Sequence, residues 1–314
     1  MATINIGEIV ATTLRNRSGK LADNVLNHNP LCARLLQKGN VKPAAGGREI
    51  VQELEYAENG TAGWYSGYEV LDITPGDVFD AATYDWKQLA GNVTISGLEE
   101  IKNSGKERVI NLLASRIKNL EKTLKNSLAV AVFADGTTDT KSLGGLQQLV
   151  IDDPTASASV GGINQATYSF WQNQTSGDAT LTTSAHMDTE LNEMYLKCIR
   201  GTDSPDFIVS DAILYNFWEG GLQQFQRFQD ASVADMGFES LKYKGADFFY
   251  DVNCPSSTAY MLNTDYLFLR PHTDRQFKPL VERQSINQDA CVTPIVWAGN
   301  MTCSNRSLQG VIFT

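Results

Sequence analysis

The stretch Ser96–Ala134, SGLEEIKNSGKERVINLLASRIKNLEKTLKNSLAVAVFA, decides how the rest of the chain is read. Its apolar positions Leu98, Ile101, Val109, Leu112, Leu113, Ile117, Leu120, Leu124 and Leu128 lie mostly three, four, seven or eight apart, which gathers them on one face of a helix. Glu99, Glu100, Lys102, Glu107, Arg108, Lys118, Glu121 and Lys122 cover much of the remaining surface. A helix over this whole stretch would approach ~55 Å, longer than an ordinary globular domain needs. A long, half-wetted helix beside extended hairpins predicts a flat plate shared with neighbouring copies, and so assembly rather than chemistry.

Upstream of that helix, residues 48–95 read as extended chain. Arg48-Glu-Ile-Val-Gln-Glu-Leu-Glu-Tyr-Ala alternates loosely. The Gly-rich turn Glu58-Asn-Gly-Thr-Ala-Gly-Trp-Tyr-Ser-Gly-Tyr follows, and then a second extended run holding Val70, Ile73, Val78, Phe79, Tyr84 and Trp86. A two-stranded hairpin with so little core of its own is marginal alone. Trp64, Tyr65 and Tyr68 at its tip suit contact with another subunit, since exposed aromatics are useful as anchors. Glu55 and Glu58 join them as candidate contact residues. Further upstream, a helix is expected over Thr3–Asn27, and Pro30 is expected to break any helix running through Asn27-His-Asn-Pro.

Downstream, a second amphipathic helix is expected over Leu181–Ile199 with Ser184 as its cap. Asp206-Phe-Ile-Val-Ser reads as a strand and Asp211–Phe228 as a helix weighted by Tyr215, Phe217, Trp218, Phe225 and Phe228, an aromatic group expected in the core. From Leu241 onward the chain is mostly strand. The class is α+β.

Composition excludes several functions. With 26 basic against 36 acidic residues and a net charge of -10, general affinity for nucleic acid is not expected, since phosphate neutralisation needs clustered Lys and Arg. No apolar run reaches membrane-spanning length, and the first residues lack the basic and apolar regions of a secretory signal. The five cysteines, Cys32, Cys198, Cys254, Cys291 and Cys303, are widely spaced without a CxxC, so buried, reduced thiols are expected rather than a zinc site. Asn-x-Ser/Thr triplets at Asn16, Asn59, Asn92, Asn173, Asn300 and Asn305 then signify local turn chemistry only.

Four phrases, in this order, resemble the major capsid proteins of tailed bacteriophages, the HK97 fold. They are Leu143-Gly-Gly-Leu-Gln-Gln-Leu-Val, Gly161-Gly-Ile-Asn-Gln-Ala-Thr-Tyr-Ser-Phe-Trp, Asp206-Phe-Ile-Val-Ser-Asp-Ala-Ile-Leu-Tyr-Asn-Phe, and Lys242-Tyr-Lys-Gly-Ala-Asp-Phe-Phe-Tyr-Asp-Val-Asn-Cys-Pro followed by Ala259-Tyr-Met-Leu-Asn-Thr-Asp-Tyr-Leu. The resemblance implies an N-terminal arm (1–47), an extended E-loop (48–95), a P-domain spine helix (96–140), an A-domain (141–255) and C-terminal strands returning through the P-domain (256–314). It also implies a homo-oligomer of pentamers and hexamers closing an icosahedral shell around double-stranded DNA. The expected partners are a portal protein, a separate scaffolding protein, since few residues precede the spine, and a decoration or cement protein. Some capsids of this fold cross-link a Lys on the E-loop to a neighbouring Asn; residues 50–86 contain no Lys, so that bond is not expected here. Arg270, Arg275, Lys278 and Arg283 would form a patch for acidic E-loop residues of the next subunit.

No cofactor, metal or catalytic group is expected. His28, His186 and His272 have no nucleophile elbow beside them, and a Cys–His pair built on Cys198 or Cys254 has no local support. Phe133-Ala-Asp-Gly-Thr is like the loop of haloacid-dehalogenase phosphatases, but Phe133 stands where the nucleophilic carboxylate would be. Gly161-Gly-Ile-Asn lacks the third glycine of a dinucleotide fingerprint. Two alternatives to the phage capsid stay open at this point: an encapsulin-like compartment that encloses proteins, and a soluble hydrolase without a familiar motif.

Overall fold

The computed structural model describes residues 29–74, 76–98, 106–137, 139–177, 181, 183–222, 241–281, 283–284 and 288–314, and only the backbone of 106–114, 184, 222, 283 and 284. The helix expected over Thr3–Asn27, residues 99–105 of the long helix, Phe225 and Phe228 therefore lie outside the described residues.

Strand β14 (Ala290–Cys303) is the axis of the first of two sheets. One of its edges pairs antiparallel with β3 (Lys87–Ser96). The other takes β11 (Leu267–Pro271), β12 (Lys278–Pro279) and β13 (Arg283–Gln284) in succession. Pro294, which has no N–H to give a ladder, falls in the gap between the β12 and β13 pairings. Residues 40–44 lie along β11, with the Lys42 and Ala44 amides donating to the Leu269 and Pro271 carbonyls. Helix α2 (Lys106–Ala131) packs on β3 through Ile117, Leu120, Leu124 and Leu128, while Lys118 and Lys122 stay in water.

Two sequence expectations change here. The described part of the long helix, Lys106–Ala131, has 26 residues and spans ~39 Å, and Ser96, expected to open the helix, instead ends a strand. For the same reason residues 87–95 do not belong to the hairpin. The alternation Leu89, Val93, Ile95 against polar neighbours is a strand period, and it is β14 that captures it.

The second sheet has six strands in the order β6 (Gln174–Gly177), β15 (Gly310–Phe313), β10 (Thr258–Leu262), β7 (Phe207–Ser210), β9 (Ala246–Tyr250), β8 (Leu241–Tyr243). Its strands alternate between two cores, as the two-residue period requires. Phe207, Val209, Phe249, Tyr260, Leu262 and Val311 face the large core shared with the first sheet. Ile208, Phe248, Ala259, Met261 and Ile312 face a smaller core closed by α4 (Ser184–Cys198) and α5 (Ala212–Leu222). With both faces covered, β7 is buried at all four positions and reads as a continuous apolar run. Trp218 is buried here, with Tyr215 and Phe217 packed at its margin, as expected of the aromatic group. The N-cap of α4 is Thr183, whose hydroxyl accepts from the His186 amide, not Ser184.

Helix α1 (Pro30–Gln37) lies where a break was expected. Asn29, the residue before the proline, is extended, and at a first helical position the missing N–H of Pro30 costs nothing. Asn29 caps the helix through Leu31 and Cys32, and its amide donates to Asp251 at 2.8 Å. Arg34 and Lys38 meet Asp206 at 3.1 and 3.0 Å, and Lys38 also meets Asp265. Burial alone would raise the Asp206 carboxyl. The Thr264 amide and hydroxyl, together with Lys38, outweigh burial and hold it below its ordinary 3.8. A carboxyl whose folded value is depressed contributes stability that is complete above the unfolded value and drains away as pH falls through the folded one.

The segments Leu146–Leu149 and 163–173 are tied to the end of β14 by Arg306, which is fully buried. Its guanidinium donates to the Leu149 carbonyl (2.6 Å), the Trp171 carbonyl (3.0 Å), the Gln165 Oε1 (3.1 Å) and the Asn173 Oδ1 (3.0 Å), and its plane lies 5.6 Å from the Trp171 ring centre. Burial pushes its pKa down to about 10, so it stays charged at neutral pH. Two further constraints act nearby. Gly145 brings the chain against the end of α2, where a Cβ would run into the Val132 carbonyl, and the Leu146 amide donates to that same carbonyl at 2.7 Å.

Arg306→Met leaves the Leu149 and Trp171 carbonyls and the Gln165 Oε1 unpaired, with Asn173 Oδ1 keeping only the Ile151 amide, and should cost the unassembled subunit more than about 3 kcal/mol in urea unfolding at neutral pH. In the same assay run against pH, the stability difference between wild type and Asp206→Asn should shrink as pH falls below about 3.8.

Candidate assembly surface

The hairpin β1 (Ile50–Glu55) and β2 (Phe79–Tyr84) is anchored at its base and bare at its tip. Ile50 and Leu54 of β1, with Ala82 and Tyr84 of β2, turn into the large core. Val51, Glu53, Glu55 and Phe79 turn outward. Gln52 sits among the inward residues and is satisfied there, its Oε1 accepting from Arg270 Nη2 at 2.9 Å and Thr302 Oγ1 at 3.2 Å. The Gly161–Gly162 turn, with φ of 61° and 80°, docks under β2. The Gly161 carbonyl accepts from the Thr83 amide at 2.9 Å. A Cβ at Gly161 would lie 2.8 Å from that of Ala82, so this turn requires glycine for both reasons.

Beyond the Glu55–Phe79 pair, residues 56–78 form no regular strand. Local turns shape them: Asn59 Oδ1 accepts from the Thr61 amide and hydroxyl, Glu69 caps the Ser66 amide, and Asp72 accepts from the Thr74 amide. Trp64 and Tyr68 each have a relative exposure of 105%, and Tyr65, Val70, Leu71 and Ile73 are exposed as well. Glu55 and Glu58 are exposed beside them. The structure thus brings all five sequence-predicted hairpin residues onto one projecting element. Exposed apolar surface of this kind makes the tip the candidate for contact with another subunit.

Among the described residues, the cysteines and the Asp135 loop weighed for catalysis have structural surroundings. Burial pushes the Cys32 and Cys198 thiols up to about 12, which leaves no thiolate for nucleophilic chemistry. Asp135 accepts from the amide and hydroxyl of Thr137 as a turn residue. Among the described residues no group of three His, Cys, Asp or Glu side chains is placed to hold a metal ion, and no helix is long and apolar enough to cross a membrane.

No family model matches the sequence, and no curated protein does. Solved structures do match over nearly the whole chain. The capsid of cyanophage A-1(L) superposes with a TM-score of 0.65 at 14% identity, over 88% of this chain and 90% of that one. The capsid of a native GTA particle gives 0.59 at 11% identity, over 90% and 89%. A virus-like particle from Pyrococcus furiosus gives 0.51 at 8% identity, over 96% and 98%. The chain has the HK97-like capsid fold.

On this HK97-like chain the four basic residues do not make a compact patch. Arg270, Lys278 and Arg283 stand opposite Asn300, Val296 and Val292 of β14, a line ~26 Å long. Arg270 is spent on its own chain's Gln52 and lies over Phe268. Lys278 meets Asp274 and the Thr273 carbonyl. Arg275 is exposed, and the Arg283 side chain lies outside the described residues. The sequence reading missed what seats the hairpin, namely Gln52, Arg270, Thr302 and Gly161. Arg270 was read only as part of a basic patch, and the paired glycines only as part of a capsid-like phrase.

Because Trp64 and Tyr68 are fully exposed, the double variant Trp64→Ala/Tyr68→Ala should unfold within about 0.5 kcal/mol of wild type as an unassembled subunit. A loss well above that in urea unfolding would mean that the tip packs on its own body.

Proposed function

We propose that this chain is a major capsid protein, a non-enzymatic building block of an icosahedral virion or particle shell enclosing double-stranded DNA. The observation that carries the reading is the exposed aromatic hairpin tip on a subunit whose fold is that of capsid proteins. Pentamers and hexamers would be closed, head-to-tail rings, in which one subunit's projecting element meets a different surface on the next. In this reading the arm runs through residue 47, the spine is helix α2, the A-domain is built on the six-stranded sheet and the P-domain on the sheet around β14, and the pairing of β3 with β14 supports an E-loop that ends near Tyr84 rather than at residue 95. The net charge of -10 suits an inner surface that confines DNA without gripping it. Portal, scaffolding and cement proteins belong to the same proposal.

A second reading keeps the shell and changes the contents. The match to the Pyrococcus virus-like particle, at a TM-score of 0.51 against 0.65 for the cyanophage capsid, is what keeps a protein-filled compartment as the alternative to a DNA-filled one. The nucleic-acid content of purified particles separates the two.

Negative-stain electron microscopy of the overexpressed chain, alone and with its co-encoded products, should show closed shells, tubes or rings of five and six. Deleting Asn59–Gly67 should leave a folded subunit that no longer forms them. Uniform monomers or dimers from the intact chain under both conditions would overturn the shell reading, and normal shells from the deletion would overturn the role of the hairpin.

A further inference from the structure

One turn pattern recurs along this chain: an Asn or Asp side chain accepts from both the amide and the hydroxyl of a Ser or Thr two residues on. It occurs at Asn59-Gly60-Thr61, Asp135-Gly136-Thr137, Asp153-Pro154-Thr155 and Asn305-Arg306-Ser307. The middle residues and the end groups differ, and the chemistry differs with them. Pro154 has no N–H to give up. Asp135 has no ammonia to lose. Arg306 fills the middle of its turn with a fully buried, hydrogen-bonded side chain. Of these turns, only that of Asn59 joins a carboxamide to a following glycine, and Asn59-Gly60 is the one Asn-Gly pair in the sequence.

The geometry at Asn59 suits attack by its own backbone. Asn59 and Gly60 are exposed. Nothing crowds Gly60, since a Cβ there would meet no atom within 4 Å. The Asn59 Oδ1 accepts from the Thr61 amide at 3.1 Å and the Thr61 hydroxyl at 2.8 Å, which fastens the carboxamide against the Gly60–Thr61 peptide. The Ala62 amide closes the turn by donating to the Asn59 carbonyl at 3.2 Å. Attack of the Gly60 nitrogen on Cγ would put negative charge on Oδ1, where the two Thr61 donors already point, as in an oxyanion hole.

We propose that Asn59 is a self-modification site, at which the folded turn promotes loss of the side-chain amide. The Gly60 nitrogen gives its proton to hydroxide or water and bonds to Cγ. The Cγ–Nδ2 bond breaks, and ammonia leaves with a proton taken from water. Water then opens the cyclic imide. Cleavage on the Cγ side leaves an aspartate at position 59, and cleavage on the main-chain side leaves its β-linked isomer. Either product adds a carboxylate to a hairpin that holds six acidic residues and no Lys, Arg or His between Glu55 and Asp80. The isomer also adds a methylene to the main chain. This chemistry belongs to the free subunit and does not depend on the shell reading.

The test incubates the unassembled subunit in heavy-oxygen water at mildly alkaline pH and follows every asparagine by peptide mass spectrometry, with isoaspartyl methyltransferase reporting the isomer. Position 59 should take up heavy oxygen faster than Asn305, whose turn has the same two donors, and its rate should rise with pH. Gly60→Val should slow it at least several-fold. Thr61→Val should slow it several-fold in the folded subunit but not in urea, and Thr61→Ser should restore it. Conversion at position 59 no faster than at Asn305, or undiminished in Gly60→Val, would overturn the site. A Thr61→Val rate equal to wild type in the folded subunit would overturn the part given to the turn.

Discussion

Arg306 is the interaction on which the large core depends. One buried guanidinium gathers acceptors from Leu149, Gln165, Trp171 and Asn173, none of them a carboxylate. Burying an unpaired charge is expensive, and the expense is met by saturating the donors rather than by neutralising them. The geometry follows from that requirement. A planar fork with five donors can hold several carbonyls in one plane, which an ammonium cannot. The segment between Leu149 and Asn173 has little regular structure of its own, and this fork replaces the ladder it lacks. The same segment carries the Gly161–Gly162 turn under β2, so the seat of the hairpin is only as rigid as the node around Arg306.

A second constraint is the contrast between the two ends of that hairpin. Its base is fixed by alternating side chains, by Gln52 and by a glycine turn from another part of the chain. Its tip has turn chemistry and fully exposed apolar surface. A stiff root with an uncommitted end transmits position, since whatever the tip binds is held at a defined place relative to both sheets. The α1 clasp acts in the same sense at the other end of the described chain, fastening the arm to the six-stranded sheet through Asp206, Asp251 and Asp265.

Much of this was legible in the sequence, for physical reasons. Helix α2 declared its buried face through Ile117, Leu120, Leu124 and Leu128, and β7 declared burial on both faces by an unbroken apolar run. The exposed tip was legible because aromatics in a Gly-rich stretch have nowhere local to pack. The failures share one cause, which is partnership at long range. Strand β3 looked like hairpin because its partner lies some 200 residues away. Asn59 and Asn305 do the turn chemistry that their triplets suggested. Asn173 and Asn300 instead reach Arg306, Ile151, Gly144 and Asp85, contacts that no local pattern announces. Arg270 looked available for a neighbour because nothing nearby in sequence revealed Gln52.

The position of β14 and β15 has a consequence for synthesis. Strand β14 is the axis of one sheet and β15 lies inside the other, between β6 and β10, yet both come after residue 289. Neither sheet can close on a nascent chain until these strands have emerged from the ribosome, because their partners are non-local and such contacts form late. A chain stopped before residue 290 would therefore carry the hairpin with neither sheet complete behind it.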